Sequence, residues 1–236
     1  MSEQRQRGSN QAGVRGGRRA SGEPVSGTSA RRRLTVVSGP SGVGKSSVVS
    51  ELRRLDPDIY FSISMTTRAP REGEVDGAHY HFVDRATFDE MVEQGRFLEH
   101  AEFAGNCYGT PRGPVEEALE SGRSAVLEIE LQGARQVRQA MPEAQLVMLL
   151  PPSWGELVDR LTGRGTEALE AVQARLGEAE RELAAASEFD AQVVNADVTT
   201  AARELLDLVD GASGEAGAAD DADASDVSDA SDSSRP

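Results

Sequence analysis

One nine-residue string constrains this chain more than any other feature of it. Gly39-Pro-Ser-Gly-Val-Gly-Lys-Ser-Ser47 follows the apolar run Leu34-Thr-Val-Val37 and leads into helical periodicity from Ser46 to Leu55. A strand, a loop with glycines at Gly39, Gly42 and Gly44, and a helix in that order turn successive backbone N–H groups and a helix N-terminus toward one anion. Pro40, Ser41 and Val43 belong to the same cradle, with Ser47 at its end. Lys45 is placed to reach the outer phosphates of a nucleotide and Ser46 to offer its hydroxyl to Mg²⁺. Lys45 is also the sole lysine of the chain, every other basic side chain being arginine. The position that kept an ammonium needs a compact point charge, which a planar guanidinium does not supply.

Charge narrows the partners. Between Leu34 and Asp210 there are 16 arginine and lysine side chains against 31 aspartates and glutamates, a net charge of −15. So acidic a domain repels polyanions, and its nucleotide must be held by a local cluster of cations and N–H groups against the global field. Nucleic acid is excluded as a partner of this domain. The segment has the length of one α/β core with small insertions. A single cysteine, Cys107, excludes an internal disulfide, and no apolar run is long enough for a signal peptide or membrane span. A cytoplasmic enzyme is expected. Its oligomeric state is open.

The two ends differ in sign. Residues 1–33 carry eight arginines and two glutamates, and residues 211–236 carry seven acidic residues and one arginine, among Gly, Ser, Ala and Gln. Neither holds enough apolar side chain to offset the entropy of ordering it, so both are expected to be disordered tails without a catalytic role. The basic arm reads either as a polyanion-binding segment or as a solvated extension.

Between the tails, strands are expected at Leu34–Ser38, Tyr60–Ser64, Phe97–Phe103, Ala125–Glu130, Gln145–Leu150 and Ala191–Asn195. Helices are expected near 46–55, 85–94, 113–121, 132–140, 153–162, 167–187 and 199–210. Leu146-Val-Met-Leu-Leu150 is continuously apolar, as a parallel strand covered on both faces is. This alternation predicts an α/β, three-layer P-loop NTPase fold around a central parallel sheet. Residues 64–110 interrupt it with short hydrophobic pieces and polar turns, and read as an inserted subdomain. Within the insert, Thr66-Thr-Arg-Ala-Pro-Arg-Glu-Gly-Glu74 sets Arg68 and Arg71 three residues apart in a proline-bent loop. Two guanidinium groups so placed either fork around one phosphate or are simply solvated; Tyr80 and Tyr108 are candidate phenolic donors beside them.

The successive strings GPSGVGKSS, SMTTRAPREGEVDGAHYHF (64–82), FLEHAEFAGNCYGT (97–110), LEIELQG (127–133) and RLTGRGTE (160–167) resemble, in order and spacing, the motifs of guanylate kinase. The resemblance spans about Leu34 to Asp210. It implies Mg²⁺-dependent transfer of the γ-phosphoryl group of ATP to GMP, with dGMP open as a second acceptor. It makes the insert the GMP-binding subdomain and residues 160–180 a mobile lid. It implies that Arg68, Arg71, Tyr80 and Tyr108 hold the GMP phosphate, that Ser64, Glu99, Thr110 and Glu130 surround the guanine, and that Glu74 belongs to the same GMP-binding set. Arg160, Arg164 and Arg175 look like the lid's cations, with Gly163 and Gly165 permitting a hinge. Arg175 has a second reading, as a partner of Glu178 or Glu182 on its own helix. Asn195 matches a residue near the adenine.

Guanine presents N1–H and an amino group side by side, so one carboxylate accepts both, whereas adenine offers a bare acceptor there; Glu99 suits that task. Two departures from the family pattern stand out. Glu128-Ile-Glu130 replaces the usual Asp-Ile-Asp, pushing each carboxylate outward by a methylene, and Ala168-Leu-Glu170 replaces an acidic stretch. His79, His81 and His100 lack zinc-site spacing. Cys107 reads as a small packed thiol and Trp154 as a cover for a helix start. Two rival readings are a peptide-binding module of the same fold, which would lack an intact P-loop, and a P-loop kinase for another acceptor.

Overall fold

The strand β1 (Leu34–Ser38) is buried at all five positions, as a strand covered on both faces must be. The computed structural model describes residues 33–162 and 169–211. The tails before Arg33 and after Gly211, together with Arg164 and the glycines at 163 and 165, lie outside the described residues. After β1 come α1 (Lys45–Leu55), β2 (Tyr60–Phe61), β3 (Met65–Thr66), β4 (His81–Phe82), α2 (Arg85–Glu93), β5 (Phe97–Phe103), β6 (Asn106–Pro111), α3 (Arg112–Glu120) and β7 (Ala125–Glu128). Then follow α4 (Leu131–Ala140), β8 (Gln145–Leu150), α5 (Trp154–Thr162), α6 (Leu169–Ala184), a 3-10 turn at Ala186–Glu188, β9 (Ala191–Val194) and α7 (Val198–Asp210).

Five strands form one parallel sheet in the order β2-β7-β1-β8-β9. Alternation along the strands splits its core in two. Val37, Val147 and Leu149 face α1 and α7, where Val48, Leu52, Ala201 and Leu205 are buried. Val36, Leu146 and Met148 face the other side, with Val115 of α3 and Ala134 and Val137 of α4. The result is three layers. In register, Val36 lies between Leu127 and Leu146, so β1 is central and the loop that follows it opens at the strands' C-terminal ends.

The insert has its own sheet, β4-β3-β6-β5, and its own cluster of Phe88, Met91, Phe97 and Cys107. Here the expected pattern needs correction. The strand expected at Tyr60–Ser64 divides: β2 ends at Phe61 in the main sheet, and the chain crosses at 62–64 to start β3 in the other. β6 was not anticipated, since Asn-Cys-Tyr-Gly-Thr-Pro carries neither alternation nor a β-branched run. It forms because Ala104 and Gly105, at φ 49° and 75°, close a two-residue hairpin that pairs Phe103 with Asn106. β7 ends at Glu128 rather than Glu130, which is instead the extended residue capping α4. The long helix expected over 167–187 runs to Ala184 and tightens into the 3-10 turn. No helix among the described residues is long and apolar enough to cross a membrane.

Candidate active site

α1 starts without a side-chain cap. Its N-cap is Gly44 at φ 96°, in the left-handed region, whose carbonyl takes the Ser47 and Val48 N–H groups, so the N–H groups before them are those an external anion would meet. The loop is walled from outside. A Cβ on Gly44 would lie 2.6 Å from Asn195 Nδ2, and one on Gly42, at φ 82°, would lie 2.8 Å from Leu161 Cδ2. Asn195 is 3% exposed, and its amide donates to the Val43 carbonyl at 2.8 Å. Arg160 donates to the same carbonyl at 3.3 Å and to Glu156 at 3.2 Å. Asn195 and Arg160 therefore support the loop from behind.

The Lys45 ammonium donates to the carbonyls of Gly39 and Pro40, folding back over the first residues of the loop. Burial pulls its pKa below the ordinary value, opposed by the carboxylates of Glu182, Glu128 and Glu130. Glu128 is also held by the loop's last residues: Ser46 Oγ donates to its Oε1 at 2.6 Å. From α6, Arg175 donates to Ser41 Oγ at 3.4 Å, and Glu182 is buried. The two are seven residues apart and share one face of the helix. Burial raises the Glu182 carboxyl while Lys45 opposes the rise.

Across β7 lies a cavity of ≈ 310 Å³ lined by Ser64, Tyr80, Glu99, Tyr108, Glu128 and Glu130 among others. Glu99 reaches it through an irregularity in β5. The register slips between Phe97 and Glu99, so that Leu98 packs into the main core, Phe97 into the insert, and Glu99 lies opposite Thr110. Thr110 Oγ1 donates to Glu99 Oε1 at 2.6 Å, and Oε2 lies against the first turn of α4, 3.0 Å from where a Cβ on Gly133 would be. Glu99 is 8% exposed. Burial raises its carboxyl, the Thr110 hydrogen bonds oppose this, and Glu130 adds to it. Among the described residues no cation is paired with this buried carboxylate, so it is suited to accept donors from a ligand.

Arg68 forks onto Glu74 with bonds of 3.0 and 2.9 Å, and its guanidinium lies 5.4 Å from the Tyr80 ring centroid. The Tyr80 ring in turn packs edge-on to that of Tyr108 at 6.2 Å. Glu74 takes a third bond from the Arg71 N–H at 2.7 Å, and these contacts hold its carboxyl at about 2. Glu74 thus ties together the two arginines of the loop. Arg71 itself is exposed and does not line the cavity, in contrast to Tyr80 and Tyr108.

The structure places the expected residues Ser64, Tyr80, Glu99, Tyr108 and Glu130 at one cavity, with Thr110 bonded to Glu99 and the Arg68 guanidinium over the Tyr80 ring. Asn195 is occupied by the Val43 carbonyl rather than turned to open space. Glu182, Gly133 and the bridging role of Glu128 were not anticipated. Glu182 carries no local motif; its seven-residue spacing from Arg175 was the available signal.

Comparison with known proteins agrees along the whole described region. The family model for guanylate kinase matches residues 31–212. The chain is 58% identical over 187 residues to a guanylate kinase of Thermobifida fusca (strain YX), covering 79% of this chain and 95% of that protein. It is 59% identical over 179 residues to one of Streptomyces coelicolor, covering 76% and 91%. The crystal structure of guanylate kinase from Anaplasma phagocytophilum superposes with a TM-score of 0.63 at 31% identity, covering 79% of this chain and 89% of that one.

Proposed function

The chain belongs to the guanylate kinase family and transfers the γ-phosphoryl group of ATP to GMP, giving ADP and GDP, and we propose that it does so across the end of β7. In this reading ATP lies on the P-loop and GMP in the cavity of Ser64, Glu99 and Glu130. One observation carries it: Glu128 accepts from Ser46 of the P-loop and also lines the cavity, so the two subsites share a wall one side chain thick.

The acceptor is a phosphate oxygen, already anionic at neutral pH, so no general base is required. The protein aligns two mutually repelling phosphates and neutralises the charge that gathers between them. Lys45 and the lid arginines Arg160, Arg164 and Arg175 serve the donor; Arg68, Arg71, Tyr80 and Tyr108 serve the acceptor phosphate. Glu74 keeps Arg68 and the Arg71 backbone in one place. Glu99 accepts from guanine N1–H and its amino group, with Ser64, Thr110 and Glu130 around the base. An adenine in that place would leave a buried carboxylate unpaired, the kind of mismatch that discriminates strongly. Asn195 contributes through the Val43 carbonyl, by holding the loop's shape.

Mg²⁺ fits this donor set. The Ser46 hydroxyl and Glu128 carboxylate are adjacent hard oxygen ligands at the helix N-terminus, and Mg²⁺ beside nucleotides takes few protein ligands. Among the described residues no group of three His, Cys, Asp or Glu is placed to hold a metal alone. When bound, the ion neutralises charge on the β- and γ-phosphates. We assign the enzyme to the cytoplasm, in keeping with its buried free thiol at Cys107.

The test is ADP release measured against GMP, dGMP, AMP, UMP and CMP. Turnover is expected with the guanine acceptors, and Lys45→Met should lose at least ~100-fold in kcat, about 2.7 kcal/mol. Equal turnover of GMP and AMP would remove the base pocket from this scheme, and a Lys45→Met enzyme keeping a third of its activity would remove the P-loop.

A further inference from the structure

The cavity that takes the base has walls from two bodies. Tyr80, Glu99 and Tyr108 come from the insert, and Glu130 and Gly133 from the start of α4 in the main domain. Glu99 spans the gap between them. Its Oε1 takes the Thr110 hydroxyl inside the insert, while its Oε2 lies against α4, 3.0 Å from where a Cβ on Gly133 would stand. What this carboxylate offers a ligand therefore depends on the distance from β5 to α4 being fixed.

β5 is an edge strand. The insert's sheet runs β4-β3-β6-β5, so one side of β5 pairs with β6 and the other has no strand beside it. An open edge presents backbone N–H and C=O groups that need other partners. At His100, the residue after Glu99, one side chain takes both. The His100 N–H donates to Gln136 Oε1 at 3.1 Å, and the His100 carbonyl accepts from Gln136 Nε2 at 2.9 Å. A primary amide carries a donor and an acceptor side by side, so Gln136 does at this edge what a residue of a neighbouring strand would do. It follows Gly133 by three positions and shares its face of α4. That face thus meets two consecutive residues of β5, the side chain of Glu99 at Gly133 and the main chain of His100 at Gln136. We propose that Gln136 is the positioning residue of the base pocket, its amide pinning the edge of β5 to α4 and so setting the Glu99 carboxylate where it reads guanine.

The strand's own ladder does not supply this. Register slips between Phe97 and Glu99, and an irregularity of that kind lets a strand bend and twist locally. His100 is exposed and Gln136 half-buried, so their contact supplies direction rather than buried apolar area. Gln136 does not itself line the cavity, and it acts on the base through Glu99. This inference rests on the reading that Glu99 accepts from guanine.

The experiment measures the KM for GMP, and the inhibition constant of AMP as a competitor of GMP, for the full chain as wild type, Gln136→Met, Gln136→Leu and Glu99→Gln. Met and Leu keep the bulk and the helix while removing both hydrogen bonds. Both Gln136 variants are expected to raise the KM for GMP at least ~5-fold, with kcat, the AMP constant and ATP affinity without GMP each changed less than ~2-fold. AMP shares the phosphate and lacks the base edge that Glu99 reads, so a general loosening of the insert would weaken both nucleotides by one factor. That outcome overturns the proposal, as does a lowered melting temperature with the KM for GMP unchanged. Should one variant not fold, the other decides by the same criterion; should neither fold, the amide is a structural brace and the proposal falls. Glu99→Gln tells the two readings apart. If GMP kept its advantage over AMP in that variant, the base-pocket reading would fail and carry this inference with it, whereas a lost advantage there beside unaltered Gln136 variants overturns the inference alone.

Discussion

Ser46 and Glu128 are one hydrogen bond apart, 2.6 Å from hydroxyl to carboxylate, although 82 positions separate them in the chain. The residue that follows the P-loop lysine and the residue that ends β7 thereby form a single oxygen-lined corner. Its reach depends on the glutamate. The shorter aspartate common in this family would draw the carboxylate back along β7, away from Ser46.

If that corner receives Mg²⁺, Ser46→Ala removes a ligand and Glu128→Asp withdraws one. Both should raise the Mg²⁺ concentration at half-maximal rate by at least ~5-fold, with the KM for GMP changed less than ~2-fold; 5-fold corresponds to about 1 kcal/mol. A Mg²⁺ titration of initial rates reads this directly, and an unchanged midpoint would move the ion elsewhere.

Glu99→Gln should lower kcat/KM for GMP by at least ~30-fold, about 2 kcal/mol, because an amide must face guanine's donors with a donor of its own. The same change should make the empty protein more heat-stable at neutral pH. Burial places the Glu99 carboxyl above its ordinary value of 4.5, so the unfolded chain loses that proton first. The stability linked to the group is present below 4.5 and lost as pH rises through the folded value. Melting curves from pH 4 to pH 8 should therefore show the variant's advantage growing with pH. A variant less stable than wild type at pH 8 would contradict this account of the pocket.

Arg68→Ala should raise the KM for GMP by at least ~10-fold and that for ATP by less than ~2-fold, since it removes one donor of the acceptor phosphate. Glu74→Gln should shift the GMP value in the same direction by less. The Glu74 carboxyl is held at about 2, so what it adds to the loop is present above 4.5 and is lost only as pH falls toward 2. Between pH 7 and pH 5 the Glu74→Gln effect on KM should consequently be constant. A pH-dependent ratio would mean that another group controls the loop.

The parts legible in the sequence were those whose cause is local. β1, the glycine loop and α1 follow one another within a few turns of chain, and continuous apolar runs marked β1 and β8 as covered on both faces. What stayed hidden depended on distant partners. β6 exists because a hairpin turn presents it to β5, not because its own residues favour a strand. Glu99 faces the cavity through a slip in register that no pattern of period two would contain. Arg175 meets Ser41 of the P-loop because α6 packs against α5 around Leu157, Leu161 and Ala179, a contact between helices that periodicity alone does not pair.

Leu161 and Asn195, which press on the loop at Gly42 and Gly44, have a consequence for how this motif can change over generations. A glycine-rich phosphate loop is commonly treated as a portable cassette, defined by its own letters. Here the two glycines, at φ 82° and 96° where a side chain is strained, are also walled by a leucine 119 positions away and an asparagine 151 positions away, each filling the space a Cβ would need. The loop and its two walls are inherited as one unit. A bulkier residue at 161 or 195 would alter nucleotide affinity without touching nucleotide, and a loop transplanted without them would arrive with its glycines and without its shape.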